Sequence, residues 1–412
     1  MPIFFGLRVA SALLLLKLSA SYLPVHGFTV FAQLMAFSAL LNLIAIGGTQ
    51  NGVIRQAAAA SDAGALARVY GAALAIWAAA VPLIGLPVAI GSRAISSLLV
   101  DTSRAWVVVI SIAAFALFAG PGQIWCSLLS GRRHPTQSLS AQAAGLVAGT
   151  AAAAWFIAHG EAARAALCFA AGPLATMAVA LPMVRLFGIA LLARPARAEM
   201  RALLHYSAAI AATTGFAAVT LFGLRSIYRD SFGATMLGYW MAANRISDLS
   251  TQFLGLFLLQ FYVPHLATVT DAAARRRLIL RCAGVGAGAM GLVILSFSLL
   301  SGPLVHLFLS RAYLPAVPFI RAYMIGDLMR VFVSLAMFTA FAKGRPARYA
   351  AIEIGTLAMM AVIALVLIHA GDPRAPQFSY AGAYALSAVL AAALFFWRGD
   401  HGLTASSTVA TP

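Results

Sequence analysis

Seven ionisable side chains lie within stretches otherwise apolar enough to cross a bilayer: Arg8, Lys17, Arg245, Asp248, Asp327, Arg330 and Glu353. Even on a lenient insertion scale, an ion at the centre of a span costs ~2.5–3.5 kcal/mol. Such groups face a hydrated cavity or one another rather than lipid. Four are cations and three are anions. The chemistry open to them is capture of an anionic group, competition between carboxylate and anion for one base, and uptake of a proton or cation.

The spacing narrows this further. Arg245 precedes Asp248 by three residues and Asp327 precedes Arg330 by three, so each acid can meet a base one helical turn away. Asn244, Ser247, Asp248 and Thr251 share one helix face, and Tyr323, Asp327, Arg330 and Ser334 share another. The bland alternative is that each pair merely neutralises charge for insertion. Apolar side chains would do that at less cost, which favours a role in transport. Arg8 and Lys17 are nine residues apart, on opposite sides of one helix. Arg8 is expected to face the interior, and Lys17 to reach towards the extracytoplasmic interface.

The elements that must hold these groups are membrane spans. The chain has 412 residues, 62% hydrophobic and 9% charged. About 20 apolar residues cross ~30 Å of hydrocarbon. Twelve such stretches follow, at about 3–23, 28–50, 69–90, 105–128, 139–158, 163–185, 204–224, 236–262, 279–307, 319–342, 349–369 and 379–397. The expected fold class is therefore all-α integral membrane protein. Continuous apolar runs exclude an outer-membrane barrel, whose strands alternate.

The net charge of +17 is a topology signal rather than a nucleic-acid footprint. Alternate loops hold sixteen Lys and Arg against eight on the other side, with four more inside spans. The richer set includes Arg55, Arg132, Arg133, Arg275–Arg277 and Lys343; the poorer includes Arg93, Arg164, Arg229 and Arg374. The positive-inside rule places the richer loops, and with them both termini, in the cytoplasm. Cys126, Cys168 and Cys282 are isolated and no Cys/His spacing suits a metal, so neither disulfide framework nor metal site is expected. The poorer loops hold Asp101, Glu161, Asp230 and Asp372, one acid each, so no catalytic constellation is visible and the chain is expected not to be an enzyme. Gly47–Gly52 lacks the Lys-Ser/Thr ending of a phosphate-binding loop, so no nucleotide or other cofactor is expected. That run instead marks a break near the cytoplasmic mouth. Gly284, Gly286, Gly288 and Gly291 are expected to permit close helix packing.

The chain also repeats. Gly27–Gln33 resembles Gly238–Asn244 at an offset of 211, and Leu128–Arg132 resembles Phe341–Arg345 at 213. Their common offset predicts two parallel six-helix bundles. The expected lobes are 1–185 and 204–397, joined by a cytoplasmic linker at 186–203 and followed by a short cytoplasmic tail at 398–412.

The residues in this order resemble the Wzx-type flippases of lipid-linked oligosaccharides, within the multidrug/oligosaccharidyl-lipid/polysaccharide (MOP) exporter superfamily. The similarity is greatest to the branch that moves lipid III of enterobacterial common antigen, or O-antigen units. It rests on Arg8 and Lys17, on Asn51-Gly52-Val53 followed by Arg55, on Ile246-Ser247-Asp248, on Gly326-Asp327 with Arg330, and on Lys343, Arg348 and Glu353. Arg245 departs from the pattern, standing where a small polar residue is expected. The resemblance implies a V-shaped, MATE-like transporter of the bacterial inner membrane. Its cargo would be an undecaprenyl-pyrophosphate-linked glycan, carried from the cytoplasmic to the periplasmic leaflet by alternating access through a cationic cavity. Arg8, Lys17, Asn51, Arg55, Arg245 and Arg330 would bind substrate. Asp248, Asp327 and Glu353 would couple an ion or gate. Membrane lipids, a polysaccharide polymerase and a chain-length regulator are the implied partners. An organic-cation exporter of the same superfamily is the alternative, and a membrane polymerase or ligase a more distant one.

Overall fold

The computed structural model describes residues 2–46, 49–60, 62–100, 102–132, 134–186, 197–258, 262, 265–266, 269, 271–343 and 345–397. The described residues are helical throughout apart from short turns. The helices are α1 Pro2–Tyr22, α2 Val25–Ala45, α3 Gln50–Ala59, α4 Ala63–Val100, α5 Trp106–Phe118, α6 Gly120–Gly131, α7 Pro135–Ala158, α8 Ala162–Leu186, α9 Arg197–Phe257, α10 Ala272–Phe308, α11 Val317–Ala342, α12 Pro346–His369 and α13 Ala375–Trp397. Each expected span falls on one of these, with α5 and α6 together forming the fourth and α9 supplying the seventh and eighth. Eight helical stretches among the described residues are long and apolar enough to span on those criteria alone.

The departures from regular helix have local causes. Within α9, Gly233 takes φ 88° and ψ 165°, which ends one helix and starts the next. A side chain there would be strained in that backbone region, so glycine is what lets two spans follow without a loop. In α10 the break at Leu300 (φ −119°, ψ 28°) is followed by Pro303, which cannot donate to the helical ladder. After α2, Thr49 donates its hydroxyl to the Ile46 carbonyl at 2.6 Å and α3 begins one residue later, which is the break expected in the Gly47–Gly52 run. Of the four glycines in α10, Gly286 alone is closely packed: a methyl added there would lie 2.8 Å from Val331. Gly284, Gly288 and Gly291 meet nothing within 4 Å, so the expected packing stripe is one contact.

The chain packs as two compact units. The first comprises Met1–Met241 with Val305–Tyr313; the second comprises Ala242–Leu304 with Leu314–Pro412. In the first, Leu15, Phe31, Leu34, Phe37, Leu41 and Ile112 form one buried cluster, and Val53, Tyr70, Trp125, Leu128 and Leu129 belong to another. In the second, Leu254, Leu258, Tyr262, Met290, Val331 and Leu335 join α9, α10 and α11. The unit boundary lies inside the eighth span and not in 186–203, so the packing units are not the repeat halves. Most of that linker, 187–196, lies outside the described residues, as does the tail from 398.

Val305–Tyr313 is a short strap held by the first unit. Val305, Leu309 and Tyr313 are fully buried. The Tyr313 ring meets Phe28 edge-on with centroids 5.2 Å apart, and Tyr239 at 6.2 Å. Lys17 donates its ammonium to the carbonyls of His306 and, at 2.8 Å, Leu309. A cation against the unpaired carbonyls at a helix C-terminus is favourable for both the hydrogen bonds and the helix dipole.

Candidate functional site

Among the described residues of the second unit, one cluster gathers three of the expected acids around one of the expected bases. It is built on α11. Asp327 is fully buried there. An ionised carboxylate so placed needs strong partners. Ser247 on α9 donates to Asp327 Oδ1 at 2.7 Å, and Tyr380 on α13 donates to the same oxygen at 2.8 Å. Oδ2 has no protein group within hydrogen-bonding reach.

Arg330 lies one turn further along α11, half-buried. Its Nη1 donates to the Tyr380 hydroxyl at 3.1 Å, and its guanidinium lies over the Tyr384 ring at 5.4 Å. The expected direct pair between Asp327 and Arg330 is therefore replaced by a relay, in which Tyr380 accepts from the base and donates to the acid. Among the described residues, one of Arg330's five N–H donors meets a protein acceptor, so four remain for water or a ligand.

Two further acids complete the cluster. Glu353 on α12 is half-buried, hydrogen-bonds Tyr349 and lies within electrostatic range of Arg330. Asp248 on α9, also half-buried, lies within range of Asp327 and Tyr384. Three tyrosines wall the site. Tyr380 stacks on Tyr323 with centroids 4.5 Å apart and packs against Tyr384 at 4.7 Å. Gly326 makes the close approach possible, because a methyl there would fall 2.3 Å from the Tyr380 ring.

The remaining expected site residues lie elsewhere. Arg8 is exposed on α1 in the first unit. Lys17 caps α10, with two of its three donors on backbone carbonyls. Asn51 and Arg55 are on α3, and their side chains lie outside the described residues. Sequence reasoning placed Ser247 on the right face but missed Tyr380, Tyr384 and Tyr349. The available signal was a tyrosine pair four residues apart in α13, in a chain with only 11 tyrosines.

No protein-family profile and no curated protein sequence matches the chain. Solved structures do. A multidrug resistance MATE family transporter of the MOP superfamily, inward-facing, superposes with a TM-score of 0.68 at 15% identity, over 96% of this chain and 93% of that one. The lipid II flippase MurJ, in an inward closed conformation, gives 0.70 at 10% identity, over 96% and 87%. A MOP superfamily transporter from Pyrococcus furiosus, described as having a binding pocket of reverse polarity, gives 0.62 at 13%, over 96% and 92%. The chain thus has the fold of the MOP transporters along nearly its whole length.

Proposed function

We propose that the chain is a MOP-type flippase. It would carry an undecaprenyl-pyrophosphate-linked oligosaccharide, of lipid III or O-antigen type, from the cytoplasmic to the periplasmic leaflet of the bacterial inner membrane. Two six-helix lobes, 1–185 and 204–397, would alternate access to it. The fold is shared with a flippase of a lipid-linked precursor, which supports this reading. The observation that carries it is Arg330. A guanidinium within a span keeps four donors unused by the described residues, in the planar fork that suits pyrophosphate. A pyrophosphate headgroup cannot cross hydrocarbon without replacing its hydration, and such donors replace it. Arg8, Arg55 and Arg245 are further candidate contacts, and Asp248, Asp327 and Glu353 the candidate ion-coupling groups.

Arg330→Ala should lower complementation of a flippase-null strain by at least about tenfold with protein levels unchanged, and Arg330→Lys should retain part of it as a point charge without the fork. Full activity of the alanine variant would remove Arg330 from the cargo site.

One observation favours a second reading. Asp327 and Glu353 lie within electrostatic range of Arg330, and Asp248 within range of Asp327, a balance that suits an organic cation, the cargo class of a multidrug exporter. Transport of ethidium by the purified protein, with lipid-linked glycan left untouched, would decide for that alternative.

A further inference from the structure

One face of α10 takes no part in the site described above. Cys282, Gly286 and Met290 point into the core of the second unit and are buried. On the opposite side, at the same helical spacing, stand Arg277, Arg281, Gly284, Gly288, Leu292 and Leu295, all exposed. This face begins in two cations and continues in apolar surface. Gly284 and Gly288 meet nothing within 4 Å, which leaves an open trough starting about one turn below Arg281. The helix carries four arginines and no acid along its 37 residues. Among the described residues, neither Arg277 nor Arg281 meets a carboxylate.

The sequence repeat sharpens the contrast. At the offset of 213, Arg281 corresponds to Arg68 on α4. Arg68 is answered within the protein, its Nε lying 3.1 Å from Glu199 Oε1. The described residues offer Arg281 no such acid, so its counter-charge comes from outside the chain. The loop bias calls for cations at this end of the span, but it does not call for two on one face above an open trough.

We propose that this face of α10 holds an anionic phospholipid, with its phosphate on Arg277 and Arg281 and one acyl chain along the helix below them. Guanidinium groups suit a phosphodiester, and their stems can reach the interface from within the span. Half of the ~30 Å hydrocarbon is ~15 Å, or about ten residues at 1.5 Å each. A chain descending one leaflet from Arg281 therefore passes Gly284 and Gly288, where the missing side chains let it lie against the backbone. This lipid is distinct from the cargo and does not depend on what the cargo is. Charge decides against a second copy of the chain as the occupant. Two glycines four residues apart are a helix-pairing pattern, yet a two-fold pairing through this face would bring Arg277 and Arg281 against their own counterparts with no acid between them.

Native mass spectrometry of the full-length protein, titrated with dioleoyl phosphatidylglycerol and separately with dioleoyl phosphatidylcholine, tests this. Wild type should retain one phosphatidylglycerol at least about tenfold more tightly than phosphatidylcholine, the effect of two basic groups on a net negative headgroup. Arg277→Gln combined with Arg281→Gln should bring phosphatidylglycerol down to the phosphatidylcholine level. Arg276→Gln combined with Arg348→Gln removes the same charge from other positions and should leave the preference in place. Gly288→Leu keeps both cations, fills the trough and should weaken phosphatidylglycerol several-fold. Equal retention of the two lipids by wild type, or an unchanged preference in the Arg277 and Arg281 double variant, overturns the proposal. So does a wild-type dimer in phosphatidylcholine nanodiscs that Gly284→Leu makes monomeric, because the face would then belong to a second copy. Should the double variant fail to insert, Gly288→Leu decides alone, and wild-type affinity in it overturns the site.

Discussion

Asp327 holds its two oxygens in unlike surroundings, and the difference comes from three helices meeting at one residue. The three-residue spacing of Asp327 and Arg330 was legible in the sequence and predicted a direct pair. What stands between them is Tyr380, 53 residues away. No periodicity within α11 could reveal it, because the relation is between helices rather than along one. The small residue beside the acid is as much part of the arrangement as the acid. Gly326→Ala would drive a methyl into the Tyr380 ring, whose neighbours Tyr323, stacked on it, and Tyr384, tilted against it, leave it little room to move. Destabilisation by about 1–3 kcal/mol is expected, the usual range for overpacking. Thermal unfolding in detergent measures it. Gly326→Ser should behave similarly, and a wild-type melting temperature in both would show that Tyr380 is loosely held.

At the scale of elements, the spans were readable because hydrocarbon thickness fixes their length and a polar backbone in lipid leaves helix as the available form. Their ends were less so. α4 runs to 38 residues, well beyond the span expected at 69–90. The joint at Gly233 carries no apolar signal of its own. The strap at Val305–Tyr313 was not foreseen, since Lys17 was expected at an interface and instead meets carbonyls some 290 positions away. Two substitutions there should act in opposite directions. Lys17→Met removes charge-assisted bonds to the end of α10, a loss of about 1.5–3 kcal/mol. Hydrogen exchange should then quicken across 305–313 while the core of α7 and α8 is unaffected. The Tyr313 hydroxyl is buried without a partner, a state that costs about 1–3 kcal/mol. Tyr313→Phe should therefore raise the melting temperature. A fall would mean that an ordered water satisfies that hydroxyl.

For the whole molecule, the orientation that the loop bias predicts is open to direct measurement. If both termini are cytoplasmic, a cysteine placed at Arg132 should react with impermeant maleimide only in inverted vesicles, and one at Arg164 only in intact cells opened at the outer membrane. The reverse pattern would invert the proposed direction of transport. The twelve-span organisation could be read from hydropathy, but the division into packing units could not. An apolar helix face looks the same whichever bundle covers it, so the boundary at Met241 depends on contacts that the sequence repeat does not carry.

The strap has a consequence for how the protein is made. A ribosome delivers the chain from its N-terminus, yet the first unit draws nine of its residues from positions 305–313. When Met241 emerges, Lys17 has no carbonyls to cap and Phe28 has no Tyr313 against its edge. The first unit is finished only after more than sixty further residues, most of them belonging to the second, have been synthesised. A chain released early, or cut at Met241, would keep this seat empty, and quality control in the membrane would meet an incomplete bundle. Assembly of the first unit is thus timed by the second, and the last piece of the earlier half arrives with the later one.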